Sequence, residues 1–392
     1  MNYKMMGGIM MIMGTCLGAG ILGLPVAAAS HDLLSSSLLI FACWIIMTAG
    51  ALYILETNLK LHQGANLISM AKQTLGRSGA LVTWIVNLLL LYALMAAYIT
   101  GGTQITQAGL HLPYIIAALL FTCVMAVIVM KGINWVDHSN RALLTIKMLA
   151  LFLLIAAILP YAQINYARFG TPHKIFGATT VIICSFGYAT LIPSLRVYFQ
   201  SNVAILKRTI IIGSFLPLLI YIIWNIAIHS TLPSSGHLSL LAMQQSGNAS
   251  SQLAQALVTI SHSNAVKIFA DVFTSVCVLT SFLGVALSLS DFLEDGTGIS
   301  KNSLKGLSIN ALLTFLLPLL IAIFYPKAFI IALSFGGMFS IILLIILPAS
   351  MAIAAHYRIK DTGTYNVLGG QLGRFVILGL ALIALILSIV YL

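Results

Sequence analysis

The sequence predicts an all-α integral membrane protein with 11 transmembrane helices, a 5+5 inverted repeat in which helices 1 and 6 are discontinuous. Hydrophobic residues make up 60% of the 392 positions and charged residues 7%. A soluble domain carries roughly a quarter charged residues, whereas a bilayer depletes them because an ionised group at its centre is costly. The apolar residues gather into runs long enough to cross ~30 Å of hydrocarbon, which takes about 20 helical residues. Two of those runs, the first and the sixth, are interrupted by Gly and Pro at matching depth.

In chain order the runs lie near 5–29, 33–58, 80–109, 113–131, 141–160, 175–199, 208–231, 265–290, 306–325, 328–356 and 372–392. The first repeat is read as 1–160, the second as 161–356, and 357–392 as an added eleventh span. Residues 59–79 form a long link in which Ala65–Leu75 has the mixed polarity of an interfacial helix. The link 232–264 is rich in Ser, Gln and Asn and is expected to be an external helical cap; its Asn248-Ala249-Ser250 sequon is read as chance. A secretion signal, suggested by Lys4 and Ala27-Ala28-Ala29, is set aside because the stretch is long and interrupted and opens a chain with ten further spans.

Arg168, Lys174, Lys267 and Lys327 fall on one side of this arrangement and the other fifteen of the 19 Lys and Arg on the opposite one. The bias persists with Lys147 set aside as intramembrane, and it predicts a cytoplasmic N-terminus and an external C-terminus. The net charge of +11 therefore marks loop orientation and not a nucleic-acid surface; the expected partner surface is the lipid bilayer. Cys16, Cys43, Cys123, Cys184 and Cys277 lie in apolar runs without metal-ligand spacing, so no metal and no cofactor are expected.

Span 1 reads Gly14-Thr15-Cys16-Leu17-Gly18-Ala19-Gly20, then Pro25. Span 6 reads Ser185-Phe186-Gly187-Tyr188-Ala189-Thr190, then Pro193. Gly weakens a helix and Pro removes a backbone donor, and unwound backbone inside a membrane has to find partners in protein, water or ligand. Half-helix N-termini suit a carboxylate and half-helix C-termini a cation, so an amino-acid zwitterion matches paired breaks. Gly and Pro are also common in membrane helices for packing reasons alone; the matched position of both breaks in a repeat favours the functional reading.

These residues resemble known ones. Gly14-Thr15 with Gly18-Ala19-Gly20 and Pro25, Tyr92-Ala93-Leu94-Met95-Ala96-Ala97-Tyr98-Ile99, Ser185-Phe186-Gly187 with Pro193-Ser194-Leu195, and Thr280-Ser281-Phe282-Leu283-Gly284-Val285 resemble spans 1, 3, 6 and 8 of the bacterial hydroxy and aromatic amino-acid permeases. The tyrosine and tryptophan branch is the nearest in pattern, and Tyr188 departs from the His expected there. The resemblance implies proton-driven import of an aromatic amino acid, tyrosine or tryptophan, by a monomer in the bacterial inner membrane. It also implies the LeuT-like fold of the amino acid-polyamine-organocation superfamily.

On that resemblance, substrate contacts fall to Thr15, Gly18, Ala19 and Gly20 of span 1, Tyr98 and Gln104 of span 3, and Ser185, Phe186, Gly187 and Tyr188 of span 6. Tyr92 is a further candidate for an aromatic lining, and Ser334-Phe335-Gly336-Gly337 of span 10 for an external gate. Lys147 stands inside span 5. Either its stem reaches the cytoplasmic surface, or its buried ammonium binds and releases a proton near neutral pH, held by carbonyls after Gly14 and by Thr280 and Ser281. Glu56, near the end of span 2, is either a second proton site or, the favoured reading, a surface pair with Lys60 at i,i+4. A serine or threonine permease, a sodium-coupled relative and a non-transporting amino-acid sensor stay open. A membrane enzyme or a channel needs a catalytic polar cluster or a ring of charge, and the sequence offers neither.

Overall fold

The computed structural model describes residues 3–29, 32–131, 133–163, 176–233, 235–246, 249–301, 303–359, 365–367 and 369–390, with backbone only at 133–141, 176–177, 246 and 249–251. All regular structure among these residues is helical. Asn248 of the sequon, Arg168, Lys174 and Asp361 lie outside them.

Helix α1 (Tyr3–Cys16) and α2 (Gly20–Ala27) are bent by 51° across a short break. Helix α3 (Leu33–Leu59) begins where Asp32 accepts the Ser35 N–H at 2.9 Å, filling one of the donors a helix start leaves free. Asn66 does the same for α4 (Leu67–Leu110). Gly76, at φ 85°, turns α4 sharply after its first segment, so the stretch expected as an interfacial helix, Ala65–Leu75, is set off from the long span that follows. Next come α5 (Tyr114–Met130) and α6 (Ile133–Ile158).

Helix α7 (Phe176–Ser185) stops at the second break. A 3-10 turn, Gly187–Leu191, leads into α8 (Ile192–Tyr198). Pro193 supplies no N–H to the Ala189 carbonyl four residues back, and the Ile192 N–H fills that place. Helix α9 (Val203–Thr231) is capped by Asn202. The link expected to be a helical cap contains α10 (Leu240–Ser246) and α11 (Ala249–Ser261), which pack on α2 and on α12 (Asn264–Thr297). Then follow α13 (Leu304–Phe324), α14 (Ala328–Ile341), a π-helical turn Ile342–Ile346, α15 (Leu347–Arg358) and α16 (Gly370–Val390). Pro348 leaves the Leu344 carbonyl without its helical donor, and Gly50 of α3 passes so close that a methyl there would lie 2.1 Å from it.

Nine helices among the described residues are long and apolar enough to cross a bilayer, with α7 through α8 and α14 through α15 each counted as one. The bent pair α1 and α2 makes a tenth, and α5 is a shorter apolar helix. The helices sort into two packed groups: α1 and α3 lie against α9, while α12 lies against α4 and α6, and α14 against α4. Helix α7 touches α2, α3 and α14, and so stands between the groups.

One expectation is corrected. Glu56 and Lys60 are not a surface pair: their side chains are 1% and 2% exposed, and their charges stand 3.6 Å apart. Glu56 also binds Arg374 of α16 at 2.5 Å and accepts the Val367 N–H at 3.2 Å. The carboxylate is buried because the last helix folds over it.

Candidate functional site

Both breaks end in carbonyls that have lost their helical donors, and side chains from distant helices reach them. The Leu17 carbonyl receives Lys147 Nζ of α6, which also donates to Thr280 Oγ1 of α12 at 3.2 Å. Lys147 is 1% exposed, so its stem does not carry the charge to a surface. Ser281, the next residue of α12, serves the other edge of the break: its Oγ accepts the Ala19 N–H at 2.7 Å and donates to the Cys277 carbonyl at 2.8 Å. The Tyr98 phenol of α4 meets the same hydroxyl.

Helix α9 supplies the remaining donors. Tyr221 Oη lies 2.5 Å from the Cys16 carbonyl and 2.9 Å from the Ser185 carbonyl, so one phenol touches the C-terminal ends of α1 and α7 together. Trp224 Nε1 donates at 3.0 Å to the Ile21 carbonyl, the acceptor that Pro25 leaves empty. Phe186 lies against the Tyr221 ring edge-on, with centroids 5.1 Å apart. The breaks themselves meet where Gly20 passes Ser185: a methyl on Gly20 would stand 2.4 Å from Ser185 Oγ. Only a residue without Cβ permits that approach.

The breaks therefore gather Gly18, Ala19, Gly20, Tyr98, Lys147, Ser185, Phe186, Thr280 and Ser281 into one region. Open space adjoins it. A methyl on Gly187 or Gly284 would meet no atom within 4 Å, and Thr15 and Thr190 are exposed.

Other candidates, and the hydroxyl of Ser185, are bonded elsewhere. The Thr15 hydroxyl donates to the Met11 carbonyl and the Ser185 hydroxyl to the Val181 carbonyl, each in its own helix. Tyr188 is buried and gives its proton to Thr48 of α3 at 3.1 Å. Tyr92 reaches the Leu313 carbonyl of α13. Gln104 donates to the Pro326 carbonyl at 3.2 Å and lines a separate cavity of about 450 Å³ with Gln107, Tyr114, Gln252, Gln255 and Lys327. In the Ser334–Gly337 stretch, Gly336 and Gly337 lie against Cys184 and the Thr180 backbone of α7, so they join span 10 to the second break.

Sequence reasoning missed Tyr221 and Trp224. Their signal was faint: two aromatics with polar atoms, three residues apart and hence on one helix face, inside a run that reads as apolar. It also missed Arg196 of α8, whose guanidinium binds the Asn58 carbonyl and, at 3.1 Å, the Leu61 carbonyl, closing off the end of α3.

Residues 1–389 match the tryptophan/tyrosine permease family. The chain is 31% identical over 384 residues to tyrosine-specific transport system 1 of Haemophilus influenzae, covering 97% of this chain and 95% of that one. It is 30% identical to the tryptophan-specific transport protein of the same organism, with 94% and 91% covered. It is 29% identical to glutamine transporter 2 of Aliivibrio fischeri, with 98% and 99% covered. The match runs from the first break through the last helix: this chain belongs to the tryptophan/tyrosine permease family.

Proposed function

We propose that this protein imports aromatic amino acids, tyrosine or tryptophan, by proton-coupled symport and alternating access. The observation that carries the reading is the meeting of two helix breaks at Gly20 and Ser185 beside a buried ammonium, Lys147. Carbonyl ends of α1 and α7 offer acceptors for a substrate ammonium, and the start of α2 offers a positive helix end for its carboxylate. Phe186 and Tyr98 supply aromatic surface for the ring. The relatives named for tyrosine and tryptophan transport support that substrate class.

Lys147 carries the coupling in this reading. Protonated, it holds the Leu17 carbonyl and Thr280 and ties α1 to α6 and α12. Once it gives up its proton, the charge-assisted part of that tie is gone and the first break is freer to move. The group of spans 1, 2, 6 and 7 then rocks against the remainder, as in the LeuT-like, five-plus-five arrangement with repeats at 1–160 and 161–356. Helix α5, with 17 residues, is near the short limit for crossing a bilayer and supplies the eleventh span. The protein acts as a monomer in a bacterial inner membrane, N-terminus inside, as the Lys and Arg distribution supports.

The glutamine-transporting relative favours a second reading, a neutral amino acid with an amide side chain. Uptake by the purified protein in vesicles separates the two. Labelled tyrosine or tryptophan accumulates under an imposed pH gradient and continues when choline replaces sodium. Accumulation of glutamine alone, or only with sodium, overturns the proposal.

A further inference from the structure

We infer that Tyr221 is a specificity-determining residue: its phenol oxygen and the Ser185 carbonyl together form the seat for the substrate's ammonium. The inference rests on the reading that the breaks hold an amino acid, and it assigns that task to a residue of α9, outside both breaks.

The argument is a count of protons. Tyr221 Oη contacts two carbonyl oxygens, Cys16 at 2.5 Å and Ser185 at 2.9 Å, and a phenol has one proton to give. The shorter contact takes it. The Cys16 carbonyl also accepts the Gly18 N–H at 2.7 Å, so that end of α1 is well supplied. The Ser185 carbonyl, 2.9 Å from the phenol oxygen, is then the less well supplied of the two, because one proton cannot serve both carbonyls fully. Each carbonyl belongs to the negative end of a half-helix. A donor carrying positive charge supplies the Ser185 carbonyl, with the phenol oxygen beside it as a second acceptor, and an ammonium has three N–H bonds to offer.

The seat is rigid. Tyr221 has no exposed surface, and one turn along α9, Trp224 is fixed on the Ile21 carbonyl. It is also covered, because Phe186, equally buried, packs edge-on over the Tyr221 ring. Phe186 therefore has to turn aside to admit the ammonium, and its ring is then placed beside the substrate.

The test compares Tyr221→Phe with the unaltered protein in vesicles, using labelled tyrosine and tryptophan. The competitors are 3-(4-hydroxyphenyl)propionate and indole-3-propionate, which keep the ring and carboxylate but lack the ammonium. Tyr221→Phe is expected to raise KM about tenfold or more, with Vmax within about threefold. The preference for the amino acid over its deaminated competitor is expected to fall by a similar factor, which a merely structural role for the phenol does not produce. Replacing Tyr221 with 3-fluorotyrosine keeps the shape and weakens the oxygen as an acceptor, so it serves if the Phe variant does not fold; there the preference falls about threefold. An unchanged preference in either folded variant overturns the inference. Failure of the unaltered protein to take up either amino acid defeats the functional reading instead.

Discussion

The breaks in spans 1 and 6 and the far end of α3 face the same problem and meet it with different chemistry. Both present backbone carbonyls with no helical donor. At the end of α3 the answer is charge: Arg196 binds the Asn58 and Leu61 carbonyls, and two residues before Asn58 a buried carboxylate, Glu56, sits between Lys60 and Arg374. At the breaks the partners are neutral, namely the Tyr221 phenol and the Trp224 indole as donors and the Ser281 hydroxyl as the acceptor of the Ala19 N–H, with Lys147 as the exception. Charge near a span end costs less than charge at mid-depth. Under the proposed coupling, the buried ammonium of Lys147, set among neutral donors, is the group that carries the proton.

That contrast breaks most sharply at Lys147. Lys147→Met removes the charged donor described at the first break and leaves the neutral ones. Accumulation driven by a pH gradient is expected to disappear, while exchange of labelled for unlabelled substrate across the same vesicles persists, because exchange moves no net proton. Retained accumulation makes Lys147 a structural donor like Trp224.

The charged end of α3 should fail differently, through stability. Arg374→Met leaves Glu56 buried with Lys60 alone 3.6 Å away, and breaking a buried pair from one side costs about 3–5 kcal/mol. The triple variant Glu56→Gln, Lys60→Met, Arg374→Met removes every charge of the cluster and is expected to recover part of that loss in a thermal melt. A triple variant no more stable than Arg374→Met shows that α16 is held by packing and not by the charges.

How much of this could be read in the sequence follows the same division. The breaks were legible because Gly and Pro act locally, and Lys147 because a lone charge in an apolar run is conspicuous. The donors that complete the breaks were not. Tyr221 stands 205 positions from Cys16, and an aromatic in an apolar run reads as packing until its hydroxyl is seen to reach a carbonyl. Glu56 was misread for a related reason: the i,i+4 rule points to Lys60, but Arg374, 318 positions away, decides that the carboxylate is buried.

A smaller effect sharpens the neutral side of the comparison. Trp224→Phe keeps a ring against Phe273, its edge-on neighbour, and deletes the donor to the Ile21 carbonyl. An unpaired buried acceptor costs roughly 1–3 kcal/mol, seen as a lower melting temperature. Pro25→Ala restores an N–H four residues after Ile21, so the double variant Trp224→Phe, Pro25→Ala should melt above Trp224→Phe. No rescue means that the indole acts through packing alone.

Thr15→Ala is expected to do least. Thr15 stands in the most recognisable motif of span 1, yet its hydroxyl is exposed and donates to Met11 in its own helix. Loss of such a bond on an exposed helical face changes stability by no more than about 0.5 kcal/mol, and KM for tyrosine or tryptophan should stay within about twofold. A tenfold rise in KM places the substrate against the Thr15 hydroxyl, on the open side of the break and away from Tyr221. The seat then lies where Gly187 and Gly284 face empty space, and the buried phenol only braces the backbone around it.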